Sequence, residues 1–81
     1  MANVTVRAFA ALREDFGPPR SVEAATVAEL VTLLCEAHGE RFAARLARSQ
    51  VAVGSERVPL DDTTPLADGV EVVLLPPFSG G

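Results

Sequence analysis

The sequence has no lysine, no tryptophan, no tyrosine and a single cysteine among its 81 residues. Each scarcity excludes something. One cysteine leaves no intramolecular disulfide framework and no all-cysteine zinc site within one chain, which fits a reducing compartment. Without lysine, no side chain can form a Schiff base or act as the amine partner of an isopeptide bond. No apolar run approaches the roughly 20 residues that cross a bilayer. The opening Met1-Ala2-Asn3-Val4-Thr5-Val6-Arg7 lacks a basic segment followed by an apolar one, so no signal peptide is predicted and the cytoplasm is the expected location. The net charge of -4 argues against nucleic acid, whose backbone rewards clustered cations. Arg41, Arg45 and Arg48 do lie close together. With no aromatic platform interleaved beyond Phe42, they read as a solvated helix face.

What is present is a globular composition, 48% hydrophobic. A chain this short buries only roughly 60% of its unfolded surface, so its core is thin. A folded body and a deep active site would compete for few residues, which weighs against an autonomous enzyme.

Val4, Val6, Ala8 and Ala10 alternate with Thr5, Arg7 and Phe9, the period of a strand over residues 3–10. Phe9 falls off the Val4/Val6 face and is expected on the opposite side or at an edge. Leu12 and Phe16 anchor a short turn before Gly17-Pro18-Pro19. Arg20 to Ala24 forms a second strand, pairing with the first across a long connection. Thr26-Val27-Ala28-Glu29 fits a capping box. Val27, Leu30, Val31, Leu34 and Cys35 then recur at helical spacing, predicting a helix over about 27–37 whose apolar face Leu33 broadens. Gly39 ends it as a left-handed cap. A second helical stretch covers 40–48. Val51-Ala52-Val53, Gly54-Ser55 and Glu56-Arg57-Val58 read as a tight hairpin. Leu66-Ala67-Asp68-Gly69 reads as one helical turn. Val70 to Leu75 is the strongest strand, and its apolar run places it at the centre of the sheet. The order strand, strand, helix, short helix, strand, strand, strand implies a two-layer α+β arrangement, with a mixed sheet of four to five strands under one main helix.

The carboxyl end departs from this pattern. Pro76 and Pro77 lack amide hydrogens and favour extended geometry. Ser79, Gly80 and Gly81 carry almost no side-chain volume. Such an end reads either as an ordinary frayed terminus or as one that can enter a narrow channel in an enzyme, because neither glycine has a Cβ to strike the walls. Its backbone groups remain available for extended pairing. The Gly81 carboxylate can attack the α-phosphate of ATP once a partner screens the two anions. The resulting acyl-adenylate is open to a sulfur nucleophile, provided water is excluded.

Leu74-Leu75-Pro76-Pro77-Phe78-Ser79-Gly80-Gly81 resembles the end of the small subunit of molybdopterin synthase. The turn and strand Leu66-Ala67-Asp68-Gly69-Val70-Glu71-Val72, the Val4-to-Phe9 strand and the Thr26-to-Leu34 helix entry are similar in kind and spacing. The family's hairpin usually carries Asn-Gly where Val53-Gly54-Ser55 stands here, and Val70 occupies the place of a second acid. The resemblance covers essentially the whole chain and implies a ubiquitin-like β-grasp domain over 1–81, with 76–81 as the extended reactive tail. It also implies a sulfur carrier. An E1-like adenylyltransferase using ATP and Mg²⁺ would activate Gly81, and a persulfide donor would convert it to a thiocarboxylate. The large synthase subunit would then accept the tail in a heterotetramer, and the sulfur would pass to precursor Z to build the molybdopterin dithiolene. In this reading Gly81 carries the sulfur, Gly80 and Ser79 permit entry, and Pro76, Pro77 and Phe78 line the mouth of the partner's channel. Related β-grasp carriers serve thiamine, cysteine or natural-product biosynthesis, and a ubiquitin-like protein would be conjugated through Gly81 to an amine.

The remaining candidates have plainer explanations. His38, beside Gly39, reads as a surface cap at a helix end, and no ligand spacing makes it part of a metal site. Cys35 reads as a small buried hydrophobe. Asp61, Asp62, Asp68 and Glu71 suit turn chemistry and solvation. Asp68 and Glu71 are also candidates for docking a basic activating partner, with effects on encounter rate and salt dependence. Ser79 and Ser55 have no His-Asp partner and are not nucleophiles. No cofactor is expected to bind the chain itself.

Overall fold

The computed structural model describes residues 2–76. Strand β1, Ala2–Ala8, buries Ala2, Val4, Val6 and Ala8 and turns Asn3, Thr5 and Arg7 to the other face. Period-two alternation thus gives β1 one core face. It pairs antiparallel with β2, Arg20–Ala24, in a register of Val4 with Val22 and Ala2 with Ala24.

The connection between them holds a six-residue helix, α1, Ala11–Phe16, where the sequence suggested only a short turn. Leu12 and Phe16 stand four apart, so one helical turn sends both into the core, where they are 2% and 1% exposed. The Arg20 guanidinium closes the helix end. It donates to the Phe16 carbonyl at 2.7 Å and lies 4.8 Å over the Phe16 ring.

Helix α2, Val27–His38, starts as its capping box requires. Thr26 Oγ1 accepts from the Glu29 amide at 3.1 Å. Glu29 Oε1 reaches back to accept from the Ala25 amide at 2.7 Å, one residue further than the usual reciprocal bond. Val27, Leu30 and Leu34 are buried and Val31 and Cys35 half-buried. Leu33 lies 38% exposed, off this face rather than broadening it, because one step of about 100° separates it from Leu34. Gly39 ends the helix at φ 90°, ψ -177°, a region essentially reserved for glycine but not the left-handed helical cap expected. Helix α3, Glu40–Ala47, follows at once and buries Phe42 and Leu46.

Strands β3, Gln50–Val53, and β4, Glu56–Val58, form the hairpin. The Leu66–Gly69 stretch is a hydrogen-bonded turn and not a helical one: the Val70 amide donates to the Ala67 carbonyl at 3.3 Å. Gly69 at φ 85° prevents a helix from propagating. The last strand, β5, Glu71–Leu75, runs parallel to β1 and antiparallel to β3. The sheet order is β2-β1-β5-β3-β4, so β5 is central as its apolar run predicts. The helices cover one face of this mixed sheet. With the β1–β2 pair, the crossover through α2 and the returning central strand, this is the α+β ubiquitin-like β-grasp fold.

Candidate functional site

The central strand ends at an edge of the molecule. Leu75 still pairs with Gln50, and Pro76, which has no amide to donate, follows it and is exposed. The neighbouring strand stops at the same level, where the Phe9 amide donates to the Leu74 carbonyl at 3.1 Å. Pro76 lines a cleft of about 210 Å³ with Ala10, Leu12, Arg45, Arg48 and Ser49 among its walls. Pro77, Phe78, Ser79, Gly80 and Gly81, the rest of the expected reactive tail, lie outside the described residues.

Alternation from Ala8 turns Phe9 to the face away from the helices, and it is 41% exposed. By register this face also carries Thr5 and Arg7 of β1, Glu71, Val73 and Leu75 of β5, and Ala52 of β3. A partly apolar strip therefore runs along β5 toward Pro76, with Phe9 as its largest exposed side chain. The sequence placed Phe9 off the core face; only the pairing of β1 with β5 brings it level with Leu75.

The two acidic candidates sit at the opposite end of β5. Asp68 Oδ1 accepts from the Asn3 amide at 2.8 Å, and the Asn3 carbonyl accepts from the Gly69 amide at 2.8 Å. The turn thus clamps both backbone groups of Asn3 and sets the parallel start of β5 against β1. Glu71 Oε2 accepts from Arg7 Nε at 3.2 Å, in an ion pair about half exposed on both sides. Each carboxylate already has a partner in its own chain, while Asp68 remains exposed as a residue. Asp62 is also engaged: its Oδ1 accepts from Thr64 Oγ1 at 3.1 Å and its carbonyl from the Ala28 amide at 3.0 Å.

The arginine group of α3 is not a uniformly solvated face. Asp15 of α1 is nearly enclosed, its side chain 11% exposed, and both Arg41 and Arg45 converge on it at 2.5 and 3.3 Å. The hydrogen bond from Arg41 holds the Asp15 carboxyl below its ordinary range, against the opposing effect of burial. Arg45 also donates to the Ala11 carbonyl at 3.1 Å, tying α3 to the start of α1. His38 does end α2 beside the Gly39 cap, but it is half-buried rather than fully at the surface. Its ring lies 5.1 Å from Phe16 and 5.0 Å from Phe42, closing an aromatic trio over the core. Helix α3 had to fold back on α1 for these contacts to form, which local spacing does not reveal.

Cys35 is half-buried, and burial, aided by Glu36, pushes its thiol up from the ordinary cysteine range. Such a thiol is poorly ionised at neutral pH and a weak nucleophile. Among the described residues, no three of His, Cys, Asp and Glu converge to hold a metal ion. No helix among them is long and apolar enough to cross a membrane.

The fold defines a β-grasp protein, and the comparisons with known proteins place it in the sulfur-carrier class. The ThiS family model matches residues 6–81, and the chain belongs to that family. A comparison with curated protein sequences gives no significant match. Among solved structures, the chain is similar to a putative molybdopterin converting factor subunit 1 from Pyrococcus furiosus, with 27% identity, a TM-score of 0.80, and coverage of 96% of this chain and 100% of that one. It is likewise similar to a chain in the complex of subunits 1 and 2 of the molybdopterin-converting factor from Helicobacter pylori, at 29% identity and TM-score 0.75, covering 98% and 99%. SAMP1 from Haloferax volcanii is similar at 27% identity and TM-score 0.76, covering 99% and 100%.

Proposed function

We propose that this chain is a sulfur carrier of the molybdopterin-synthase small-subunit type, with the Gly81 carbonyl as its reactive group. The observation that carries the reading is the way β5 leaves the sheet. The central strand closes at Leu75, exposed Pro76 follows it beside α1 and α3, and the sequence continues as Pro77-Phe78-Ser79-Gly80-Gly81. The whole tail therefore starts from a rigid base and can be presented to another protein.

In the first step the Gly81 carboxylate attacks the α-phosphorus of ATP on an E1-like adenylyltransferase, and pyrophosphate leaves. A persulfide donor on a partner then supplies sulfur to the acyl carbon. The acyl–oxygen bond breaks, AMP departs, and reduction of the remaining sulfur–sulfur bond by a thiol frees the thiocarboxylate. Gly80 and Ser79 let the end enter a narrow channel, and Pro76, Pro77 and Phe78 meet its mouth. The large synthase subunit, in a heterotetramer, would accept this end and pass its sulfur to precursor Z. Similarity to molybdopterin-converting-factor subunits from two organisms supports this branch. The apolar strip from Phe9 to Leu75 provides a surface for a partner to grip, with Glu71 and Asp68 as its acidic far end. Neither carboxylate is aimed at the tail, so their contribution is to docking and encounter rate.

A second reading is favoured by the similarity to SAMP1, whose family name in related structures is small archaeal modifier protein. Activation is shared, but an amine on another protein would replace sulfur as the trapping nucleophile. Intact mass after incubation with ATP, Mg²⁺, an activating enzyme and a sulfur donor separates the two. A gain of about 16 Da, the exchange of oxygen for sulfur at a terminus, is expected of the full chain and not of one lacking Gly81. An adduct of protein size would select conjugation. No change in either direction would overturn the activation step itself.

A further inference from the structure

We infer that the all-arginine surface around the exit of β5 is a specificity device: it keeps the activated C-terminal carbonyl from acylating its own chain. The inference rests on the reading of Gly81 as the reactive group. The basic side chains are Arg7, Arg13, Arg20, Arg41, Arg45, Arg48 and Arg57, with no lysine among them. Their placement relative to the tail gives this composition a consequence.

Arg45 and Arg48 line the same cleft as Pro76. The pairing points the same way: Gln50 opposes Leu75 in an antiparallel register, so Arg48 lies just ahead of the strand that flanks the end of β5. Five residues follow Pro76 and reach at most roughly 17 Å. That radius takes in the whole cleft. An amine there would be tethered to the activated carbonyl at an effective concentration on the order of millimolar. Lysine releases its proton at about 10.4, so roughly 0.04% of it is a free nucleophile at pH 7, replenished continuously. A guanidinium stays protonated and delocalised and offers no comparable lone pair. Arginine thus supplies the charge and the packing at this place without the competing reaction.

An α-amine just ahead of β1 is also kept away by strand topology. The pairing of β1 with β5 is parallel, from Thr5 opposite Glu71 to Ala8 opposite Leu74. The start of β1 therefore lies at the far end of the sheet from the end of β5. From Ala2 to the level of Pro76 is about eight strand steps, or roughly 26 Å, beyond the reach of the tail. An activated end on this protein must wait for a nucleophile from another molecule. A second copy presents the same surface and cannot accept the acyl group through a side-chain amine.

The test uses the full chain carrying a 2-mercaptoethanesulfonate thioester at Gly81, made by intein thiolysis and held at about pH 8, where a lysine amine is partly free. Attack by an amine breaks the carbonyl–sulfur bond, forms a carbonyl–nitrogen bond and releases the thiol, with the amine's proton passing to solvent. The cyclic product weighs about 18 Da less than the free acid, the mass of water. Wild type is expected to hydrolyse to the free acid alone. Arg48→Lys is expected to yield at least about tenfold more cyclic product than wild type, since its amine is tethered within reach. Arg45→Lys, in the same cleft, is a second variant should either fold poorly. Glu23→Lys, opposite Asn3 at the far end of the sheet, should behave as wild type. Simple hydrolysis of both arginine variants, cyclisation of wild type through its α-amine, or equal cyclisation by Glu23→Lys would each overturn the inference. The thioester is made without an activating enzyme. Failure of the sulfur-carrier reading would instead show as wild type that no ATP-dependent partner activates.

Discussion

Asp15 shows how one residue couples two helices of this protein. Its carboxylate receives both Arg41 and Arg45, and the Arg41 hydrogen bond lowers its titration below the unfolded value. A carboxylate depressed in the folded state adds stability above its unfolded pKa, and that stability is lost as pH falls through the folded pKa. Asp15→Asn should therefore be less stable than wild type at neutral pH, with the gap closing as pH falls below about 4. Denaturant midpoints at a series of pH values check this, and a gap independent of pH would contradict it. Ala10 stores strain of another kind. Its φ of 55° and ψ of -135° suit the first central residue of a type II′ turn, where glycine is at home. Ala10→Gly should stabilise the fold by about 1 kcal/mol, the strain relieved less the entropy glycine adds to the unfolded chain. Thermal unfolding should shift up by roughly 4–8 °C, and a downward shift would contradict the assignment. Neither feature was legible in the sequence. Asp15 has its partners 26 and 30 residues away, and Ala10 reads as one more small residue at the end of a strand.

At the scale of elements, the legible parts were those with a strong local period or cap. The Thr26–Glu29 box and the Val27, Leu30, Leu34 spacing marked α2 to within a residue of its end. The nearly unbroken apolar run of β5 marked the centre of the sheet. What local signals missed came from packing between elements. Helix α1 exists because Leu12 and Phe16 find the core, and His38 is half-covered because α3 brings Phe42 against its ring. Leu34 is 3% exposed and faces the sheet. Leu34→Ala should cost roughly 2–5 kcal/mol by leaving a cavity. Chemical denaturation measures this, and a loss near zero would mean that the helix packs on another face.

At the scale of the molecule, the described residues form one body in which the central strand leads out to Pro76. Strands β1 and β3 hold β5 on both sides, β5 closes at Leu75, and α1 and α3 flank the cleft that Pro76 lines. The tail motif Pro-Pro-x-Ser-Gly-Gly is read from the sequence alone, and its last five residues lie outside the described ones. The strip formed by Phe9, Val73 and Leu75 was not legible there, because it depends on a parallel pairing between the first and last strands. Cys35, the chain's other conceivable sulfur handler, is half-buried with its thiol pushed up, and so stands apart from the proposed chemistry.

The central claim is that transferred sulfur resides on the terminal carbonyl. Peptide mass mapping after loading, with cleavage at arginine, places Gly81 in the fragment after Arg57 and Cys35 in the fragment between Arg20 and Arg41. The account predicts a gain of about 16 Da confined to the terminal fragment. A gain of about 32 Da on the fragment with Cys35, with the terminal fragment unchanged, would mean that sulfur is held as a side-chain persulfide and would contradict it.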